Sequence, residues 1–249
     1  MSTVITHRAG DIARITLNRP DALNAFSPEL LDDLTAAFED CAEDPPAAVI
    51  LSGAGRAFSA GVDLKILQTA APEHGRLAGV YEGRDEAVIA ALRAVPCPVI
   101  GQVHGACFTG ALEMALHCDF IFTTEDTKFG DTHAKFAIRP SWGMSQNLPL
   151  AVGLRRAKEL SYTARTFTGA EAAEWGLANA ALPDQDALEA HAAETASRIA
   201  ANDAATVRAY KDLHRMHEEK LIADALEEEI RRDYPEITGT EERLKGFGS

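Results

Sequence analysis

The stretch His104–Asp119, HGACFTGALEMALHCD, joins a predicted strand to a predicted helix through a glycine turn. The apolar run before it, residues 97–103, is typical of a buried strand, and we expect Gly105 to end that strand. From Gly110 the apolar residues recur at helical spacing, and Glu113 lies in the first turn. Free N–H groups at the start of such a helix can bind an anion. A carboxylate beside them either complements the helix dipole or moves a proton near a developing oxyanion.

A second glycine turn lies in the segment Ala57–Lys65, AFSAGVDLK. A wholly apolar strand over residues 47–51 precedes it, and a short helix is expected from Asp63. Two such turns at the carboxyl ends of parallel strands could place the N–H groups of Val62 and Gly110 around one carbonyl oxygen. The alternative is two unrelated turns, whose glycines serve only the backbone.

The chain alternates strands and helices up to about residue 175, which predicts an α/β fold of βαβ units. Before the second glycine turn we predict a hairpin at 3–8 and 11–17, and a helix from Pro28 to about Glu43 with Ser27 as its N-cap. Later in the chain we predict a helix at 80–95, a strand at 119–124, and helices at 144–152, 154–163 and from Gly169 to about Trp175. Segment 68–79 is left unassigned, and segment 125–143 is expected to be rich in loops. Residues 186–233 are rich in helix formers and carry no strand signal. We therefore predict a core over residues 1–185 and a helical region over residues 186–249.

Composition excludes several classes of protein. With 46% hydrophobic residues in 249, the chain can bury a sizeable core, and a net charge of −14 without a basic stripe argues against nucleic-acid binding. No apolar run approaches the roughly 18 residues of a membrane span, and the N-terminus lacks the features of a targeting leader, so we expect a cytoplasmic protein. The four cysteines, in apolar contexts without metal-ligand spacing, are expected to be reduced core residues: Cys41, Cys97, Cys107 and Cys118.

The two glycine-turn segments, in this order and spacing, resemble the two signature segments of the crotonase (enoyl-CoA hydratase/isomerase) superfamily. Three further stretches are similar to that family and extend the resemblance over nearly the whole chain: Asn18–Phe26, Phe129–Gly130, and Phe167–Ala173 with Gly176–Ala178. The resemblance implies a spiral of ββα units and a C-terminal helical layer that builds trimers, commonly paired as a dimer of trimers.

The resemblance also implies that the ligand is an acyl-CoA thioester and that the chemistry runs through its enolate. The thioester oxygen would accept from the N–H groups of Val62 and Gly110, and one such donor is typically worth roughly 3–4 kcal/mol of barrier. The resemblance also implies that the substrate and its CoA part contact Ala22, Leu23, Ala60, Asp63 and Leu64. Neither a metal nor a redox cofactor is implied, since CoA arrives as part of the substrate.

The implied acid–base pair departs from the family pattern at one position. Hydratases of this family use two glutamates; the first maps onto Glu113, and the second position holds His133. An imidazole there can share the proton transfers with Glu113, and Asp131 could orient its ring. Alternatively, His133 is a spacer and Glu113 acts alone or not at all. We also expect Thr109 to cap the helix, which would put Glu113 one position beyond a capping box.

Three functions are compatible with these residues. Hydration of a 2-enoyl-CoA, or the reverse dehydration, is the first, with Glu113 as the base and His133 as the acid or as a group that positions water. Double-bond isomerisation is the second, because one carboxylate can move a proton between two carbons. An acyl-CoA-binding protein with little catalysis is the third, because the second glutamate is replaced.

Overall fold

The computed structural model of the protein describes residues 2–68, 74–75, 81, 83–215 and 231. The strands are β1 (Val4–Ala9), β2 (Ile12–Leu17), β3 (Ala48–Gly53), β4 (Val99–Val103), β5 (Ala106–Phe108), β6 (Phe120–Thr124), β7 (Lys128–Gly130), β8 (Phe167–Thr168) and β9 (Ala180–Leu182). The α-helices are α1 (Pro28–Glu43), α2 (Leu64–Leu67), α3 (Arg84–Ala94), α4 (Gly110–Leu116), α5 (His133–Phe136), α6 (Met144–Val152), α7 (Leu154–Thr163), α8 (Gly169–Glu174) and α9 (Gln185–Ala200). Residues 204–215 are also helical.

Two sheets organise these elements. Six strands form one sheet in the order β1-β2-β3-β4-β6-β9, in which only the β1–β2 hairpin is antiparallel. A second, three-stranded sheet has the order β5-β7-β8. Every residue of β3 and β4 is buried, as expected for parallel strands covered on both faces. The predicted α/β fold class is confirmed.

Helix α9 covers one face of the six-stranded sheet. Its buried residues Leu188, Ala192 and Ala196 form a cluster with Ile50 and Ile100 from β3 and β4. A larger cluster, to which α1, α3 and α4 contribute, fills the opposite side of the sheet. The first helix of the C-terminal region therefore packs directly on the core.

The elements with strong end signals lie where the sequence predicts them. Helix α1 begins at Pro28, and the Ser27 hydroxyl accepts a hydrogen bond from the N–H of Leu30 at 3.3 Å. The hairpin, the two central parallel strands, β6 and helices α6 to α8 also match their predicted ranges within a few residues. All four cysteines are buried and free, as expected. Within the described ranges, no helix is long and apolar enough to cross a membrane.

Two expectations differ from the structure, and a third lies mostly outside the described residues. The helix expected at 80–95 begins only at Arg84, because Gly83 takes a left-handed φ of +77° at its N-cap. The segment expected to be loop-rich, 125–143, contains β7 and α5. These elements have three and four residues, too few to show a period in sequence. Most of the unassigned segment 68–79 lies outside the described residues.

Candidate active site

The two glycine turns lie side by side. The N–H of Ser59 donates to the carbonyl oxygen of Ala106 at 3.0 Å, so the two segments run in parallel. Gly61 has a φ of +89°, and a Cβ atom on it would lie 2.5 Å from the carbonyl oxygen of Phe108. The same point is 3.6 Å from the nitrogen of Gly110. A side chain at Gly61 would therefore force the turns apart.

This approach brings Val62 and Gly110 together. The Val62 Cγ2 atom lies 3.3 Å from the position that a Cβ on Gly110 would take. Gly110 is the first residue of α4, where an N–H group has no partner within the helix. Within the part of the chain that the structure describes, neither N–H donates a hydrogen bond. Both groups are thus available to a ligand oxygen.

Glu113 is buried beside this pair of turns, and only 2% of its surface is exposed. Its Oε1 atom accepts hydrogen bonds from the N–H groups of Trp142 at 3.0 Å and Met144 at 3.2 Å. These donors come from the start of α6, about thirty residues along the chain. One carboxylate oxygen is therefore fixed by the main chain, and Oε2 is left for chemistry.

His133 faces that second oxygen. Its Nε2 atom lies 3.5 Å from Oε2 of Glu113, and its Nδ1 atom lies 2.7 Å from Oδ1 of Asp131. All three side chains are buried. The Nδ1–H group donates to the Asp131 carboxylate, which fixes the orientation of the ring. The structure thus assembles a row of carboxylate, imidazole and carboxylate, of which the sequence identified every member.

The imidazole carries a charge in this setting. Burial acts to lower the pKa of His133, but the charge of Glu113 and the hydrogen bond to Asp131 outweigh it and raise that pKa to about 10. Burial acts to raise the pKa of Asp131, but its hydrogen bond to His133 and the charge of that ring bring the pKa below its usual value. At neutral pH the ring is an imidazolium flanked by carboxylates.

The prediction that the Thr109 side chain caps α4 is wrong. Thr109 occupies the N-cap position, but its side chain makes no capping bond. Its hydroxyl instead pairs with the hydroxyl of Thr132, and its N–H donates to the carbonyl oxygen of Gly130 at 2.9 Å. The competing partners on the turn after β7 take the hydroxyl away from the helix. They tie the start of α4 to the turn that carries His133.

The residues of the implied CoA contacts form one half-buried surface, which combines the 3-10 turn at Pro20–Ala22 and the start of α2. The N–H of Ala60 donates to the carbonyl oxygen of Leu23 at 2.9 Å, which joins the two segments. Asp63 caps α2 through the N–H of Lys65 at 3.1 Å and contacts Arg19 at 3.1 Å. The half-buried set is Ala22, Leu23, Ala60, Asp63 and Leu64.

Sequence reasoning did not find the contacts of Trp142. Besides binding Glu113 through its main chain, Trp142 stacks on Phe26, with ring centroids 5.7 Å apart. Its Nε1 donates to Asp85 Oδ2 at 3.1 Å. No local spacing signals these contacts, because they join three distant parts of the chain. In the described ranges, no group of three His, Cys, Asp or Glu side chains is arranged to hold a metal ion.

Fold and site together define an α/β protein with a buried glutamate–histidine pair next to two main-chain N–H groups that have no partner among the described residues. The sequence model described as enoyl-CoA hydratase/isomerase matches residues 7–247. The chain is 32% identical to the probable enoyl-CoA hydratase echA8 of Mycobacterium bovis over 249 residues, 99% of this chain and 94% of the relative. It is 31% identical to the short-chain-enoyl-CoA hydratase of Clostridium acetobutylicum over 213 residues, 85% and 80% of the two chains.

A solved structure agrees with these relatives. The enoyl-CoA hydratase from Mycobacterium smegmatis superposes with a TM-score of 0.78 at 31% identity, covering 92% of this chain and 95% of that one. The protein belongs to the enoyl-CoA hydratase/isomerase family, the crotonase superfamily. The predicted family is confirmed.

Proposed function

We propose that the protein is an enoyl-CoA hydratase-type hydro-lyase. It adds water across the Cα–Cβ double bond of a 2-enoyl-CoA thioester, or removes water in the reverse direction. Family membership supports an acyl-CoA-processing enzyme. The observation that carries the reaction is the buried pair of Glu113 Oε2 and His133 Nε2, 3.5 Å apart beside the start of α4. Two proton-transfer groups at that separation can act on neighbouring atoms of one substrate.

Binding places the thioester oxygen at the two free N–H groups, those of Val62 and Gly110. The enolate formed during hydration puts negative charge on that oxygen, so each donor stabilises the transition state by roughly 3–4 kcal/mol. The CoA portion would run along the half-buried surface described above. No metal or redox cofactor takes part, and CoA is a part of the substrate.

Glu113 and His133 divide the proton transfers. Glu113 Oε2 takes a proton from water as the water oxygen bonds to Cβ, and electron density moves to the thioester oxygen. The Nε2–H of the His133 imidazolium then gives its proton to Cα, and the carbonyl group re-forms. The product is a 3-hydroxyacyl-CoA, with one water consumed. Asp131 holds the ring throughout by accepting from Nδ1–H.

The same pair can reset itself. After one turnover Glu113 carries the proton from water and His133 is neutral. Transfer of that proton from Oε2 to Nε2 across the 3.5 Å gap restores the starting charges. The raised pKa of His133, about 10, favours the proton on the imidazole.

Isomerisation is the second candidate, favoured by one observation. Oε1 of Glu113 is held by two main-chain donors, so a single carboxylate oxygen faces the site. One such oxygen can carry a proton from Cγ to Cα of a 3-enoyl-CoA. The third candidate, binding without catalysis, uses the same surface and needs neither acid nor base.

One set of assays separates the three. Purified protein is incubated with trans-2-butenoyl-CoA and, separately, with trans-3-hexenoyl-CoA, and the products are followed by chromatography. Hydratase activity predicts 3-hydroxybutyryl-CoA and its loss in Glu113→Gln. Formation of 2-hexenoyl-CoA without hydration of butenoyl-CoA would identify isomerisation, and not hydration, as the function. Binding of butyryl-CoA with no turnover of either substrate would leave the third function.

We further propose that residues 186–249 form a helical region distinct from the core at 1–185, through which the chain assembles as a trimer or a dimer of trimers in the cytoplasm. Family membership supports the assembly, and the helices at Gln185–Ala200 and 204–215 support the helical character of the region. Sedimentation analysis of the purified protein at several concentrations measures the mass of the assembly. A monomeric mass throughout would contradict the proposal.

A further inference from the structure

The indole ring of Trp142 stands against the turn that carries Gly110. Two of its carbons, Cζ3 and Cε3, lie 3.3 and 3.5 Å from the position of a Cβ on Gly110. The Cγ2 atom of Val62 lies 3.3 Å from the same point. A substrate oxygen bound by the N–H groups of Val62 and Gly110 would therefore lie next to the indole ring.

Two contacts keep this ring in place. It stacks on Phe26 at an interplanar angle of 25°, and its Nε1 donates to Asp85 Oδ2 at 3.1 Å. Only 5% of the Trp142 surface is exposed. Phe26 is itself fully buried and pairs with the Val62 segment. The indole cannot turn aside without losing the stack and the hydrogen bond, so it is a fixed wall.

The main chain of the same residue fixes the other side of the site. The N–H of Trp142 donates to Glu113 Oε1 at 3.0 Å, and its carbonyl oxygen accepts from Nε2 of His117 at 2.7 Å. Trp142 thus reaches from the catalytic carboxylate to the turn at Gly110. The reacting Cα and Cβ atoms lie between these two points in the proposed function. In that arrangement the carbons beyond Cβ would run along the indole.

We propose that Trp142 is the specificity-determining residue that restricts the substrate to short acyl chains, about four carbons long. The proposal rests on the proposed hydratase function. A longer chain would have to displace a packed aromatic ring, and interiors packed at this density do not yield to added methylenes without strain. A four-carbon chain has only one carbon beyond Cβ to fit beside the ring.

The test compares substrates within one enzyme. We would measure kcat/KM for the trans-2-enoyl thioesters from butenoyl- to decenoyl-CoA in the full-length wild type, in Trp142→Ala and in Trp175→Ala. The alanine at position 142 keeps the peptide N–H that binds Glu113. Trp175 is the second tryptophan of the chain and packs against Phe167 and two arginine side chains, Arg156 and Arg165. It is the matched control for removing an indole.

We expect the wild type to prefer butenoyl- over decenoyl-CoA by roughly 100-fold, and Trp142→Ala to shrink that ratio by roughly tenfold or more. Trp175→Ala should keep the wild-type ratio. Because each ratio is internal to one variant, a general loss of activity cancels. Trp142→Leu, which keeps an apolar side chain, should give an intermediate ratio, and it replaces the alanine variant if that one fails to fold. An unchanged ratio in the position-142 variants, or a wild type without length preference, would overturn the proposal.

A binding series separates this proposal from the hydratase function. Calorimetry gives the Kd of butyryl- and decanoyl-CoA for the same proteins without any turnover. If no enoyl-CoA is hydrated but Trp142→Ala improves decanoyl-CoA binding relative to butyryl-CoA, the role of Trp142 in chain-length selection is supported and the hydratase function is contradicted. If enoyl-CoAs are hydrated, and the short-to-long ratios of kcat/KM and of Kd are the same in wild type and Trp142→Ala, only the role of Trp142 in chain-length selection is contradicted.

Discussion

The two halves of the proposed acid–base pair, Glu113 and His133, are held in different ways. Glu113 is fixed by peptide N–H groups of Trp142 and Met144, whereas His133 is fixed by one side chain, Asp131, two residues before it in sequence. A main-chain clamp survives most substitutions of the residues that provide it. A side-chain clamp is lost with a single substitution. The position of Glu113, the proposed base, is therefore built into the fold, and the position of His133, the proposed acid, depends on one carboxylate.

Charge follows the same division. The donors to Glu113 are neutral, so they orient its carboxylate without adding a charge. The partners of His133 are two carboxylates, and they hold the ring as an imidazolium. This difference teaches how the two groups could take opposite roles in the proposed reaction, with His133 as the proton donor and Glu113 as the proton acceptor. Substitutions on each side should break these roles separately.

The largest effect is expected from Glu113→Gln. The amide oxygen can still accept from the N–H groups of Trp142 and Met144, but the amide cannot take a proton from water. We expect kcat for hydration of butenoyl-CoA to fall roughly 10³-fold. Steady-state kinetics measure this loss, and calorimetry with butyryl-CoA serves as the control for intact binding. A kcat within roughly tenfold of wild type would remove Glu113 from the mechanism.

Substitution of His133 should have the next largest effect. His133→Gln cannot deliver a proton to Cα, and we expect kcat to fall roughly 10²-fold. His133→Glu would place a third carboxylate next to Asp131 and Glu113, so we expect it to lower activity as well. The same assay measures both variants. A strong rise in hydratase activity in His133→Glu would show that the native protein is not a dedicated hydratase.

Asp131→Asn should weaken the acid without removing it. Asparagine lacks the charge that supports the imidazolium, so the pKa of His133 should fall and the loss of activity at alkaline pH should begin at a lower pH. We expect kcat at neutral pH to fall roughly 10-fold or more, as for other residues that orient a catalytic imidazole. The pH profile of kcat is the measurement, with Asp126→Asn as a matched control outside the site. Identical profiles for wild type and Asp131→Asn would assign Asp131 no role in positioning.

The last prediction concerns stability and not activity. The pKa of His133 is raised from 6.5 to about 10 in the folded protein, so folding favours the protonated ring. This contribution is complete below pH 6.5 and is lost as the pH rises through about 10. Urea unfolding at a series of pH values should therefore show wild type losing stability across that window. His133→Gln should lose less over the same window, and equal slopes would contradict the charge assigned to the ring.

The sequence predicts the long elements well, since their signals are local. Ser27 and Pro28 mark the start of α1, and the apolar run at 97–103 marks β4. The strands β5, β7, β8 and β9 have two or three residues each and form only because distant segments meet. No periodicity exists over such lengths, so β5, β7, β8 and β9 were beyond prediction.

The site divides in the same manner. Glu113, Val62 and Gly110 lie in recognisable segments, and the hydrogen bond from His133 to Asp131 spans two residues, so these positions could be proposed in advance. The bond from Trp142 to Glu113 spans 29 residues and depends on how α6 begins. Thr109 shows the limit of local rules, because its hydroxyl bonds to Thr132 across the site and not to its own helix.

A double-mutant cycle on kcat for butenoyl-CoA hydration tests the pairing of Glu113 and His133 most directly. It compares wild type, Glu113→Gln, His133→Gln and the double variant, with binding of butyryl-CoA checked in each. If the two groups act as one unit, the kcat of the double variant lies no more than roughly threefold below that of the less active single variant. Losses that multiply, or a His133→Gln variant with wild-type kcat, would contradict the account.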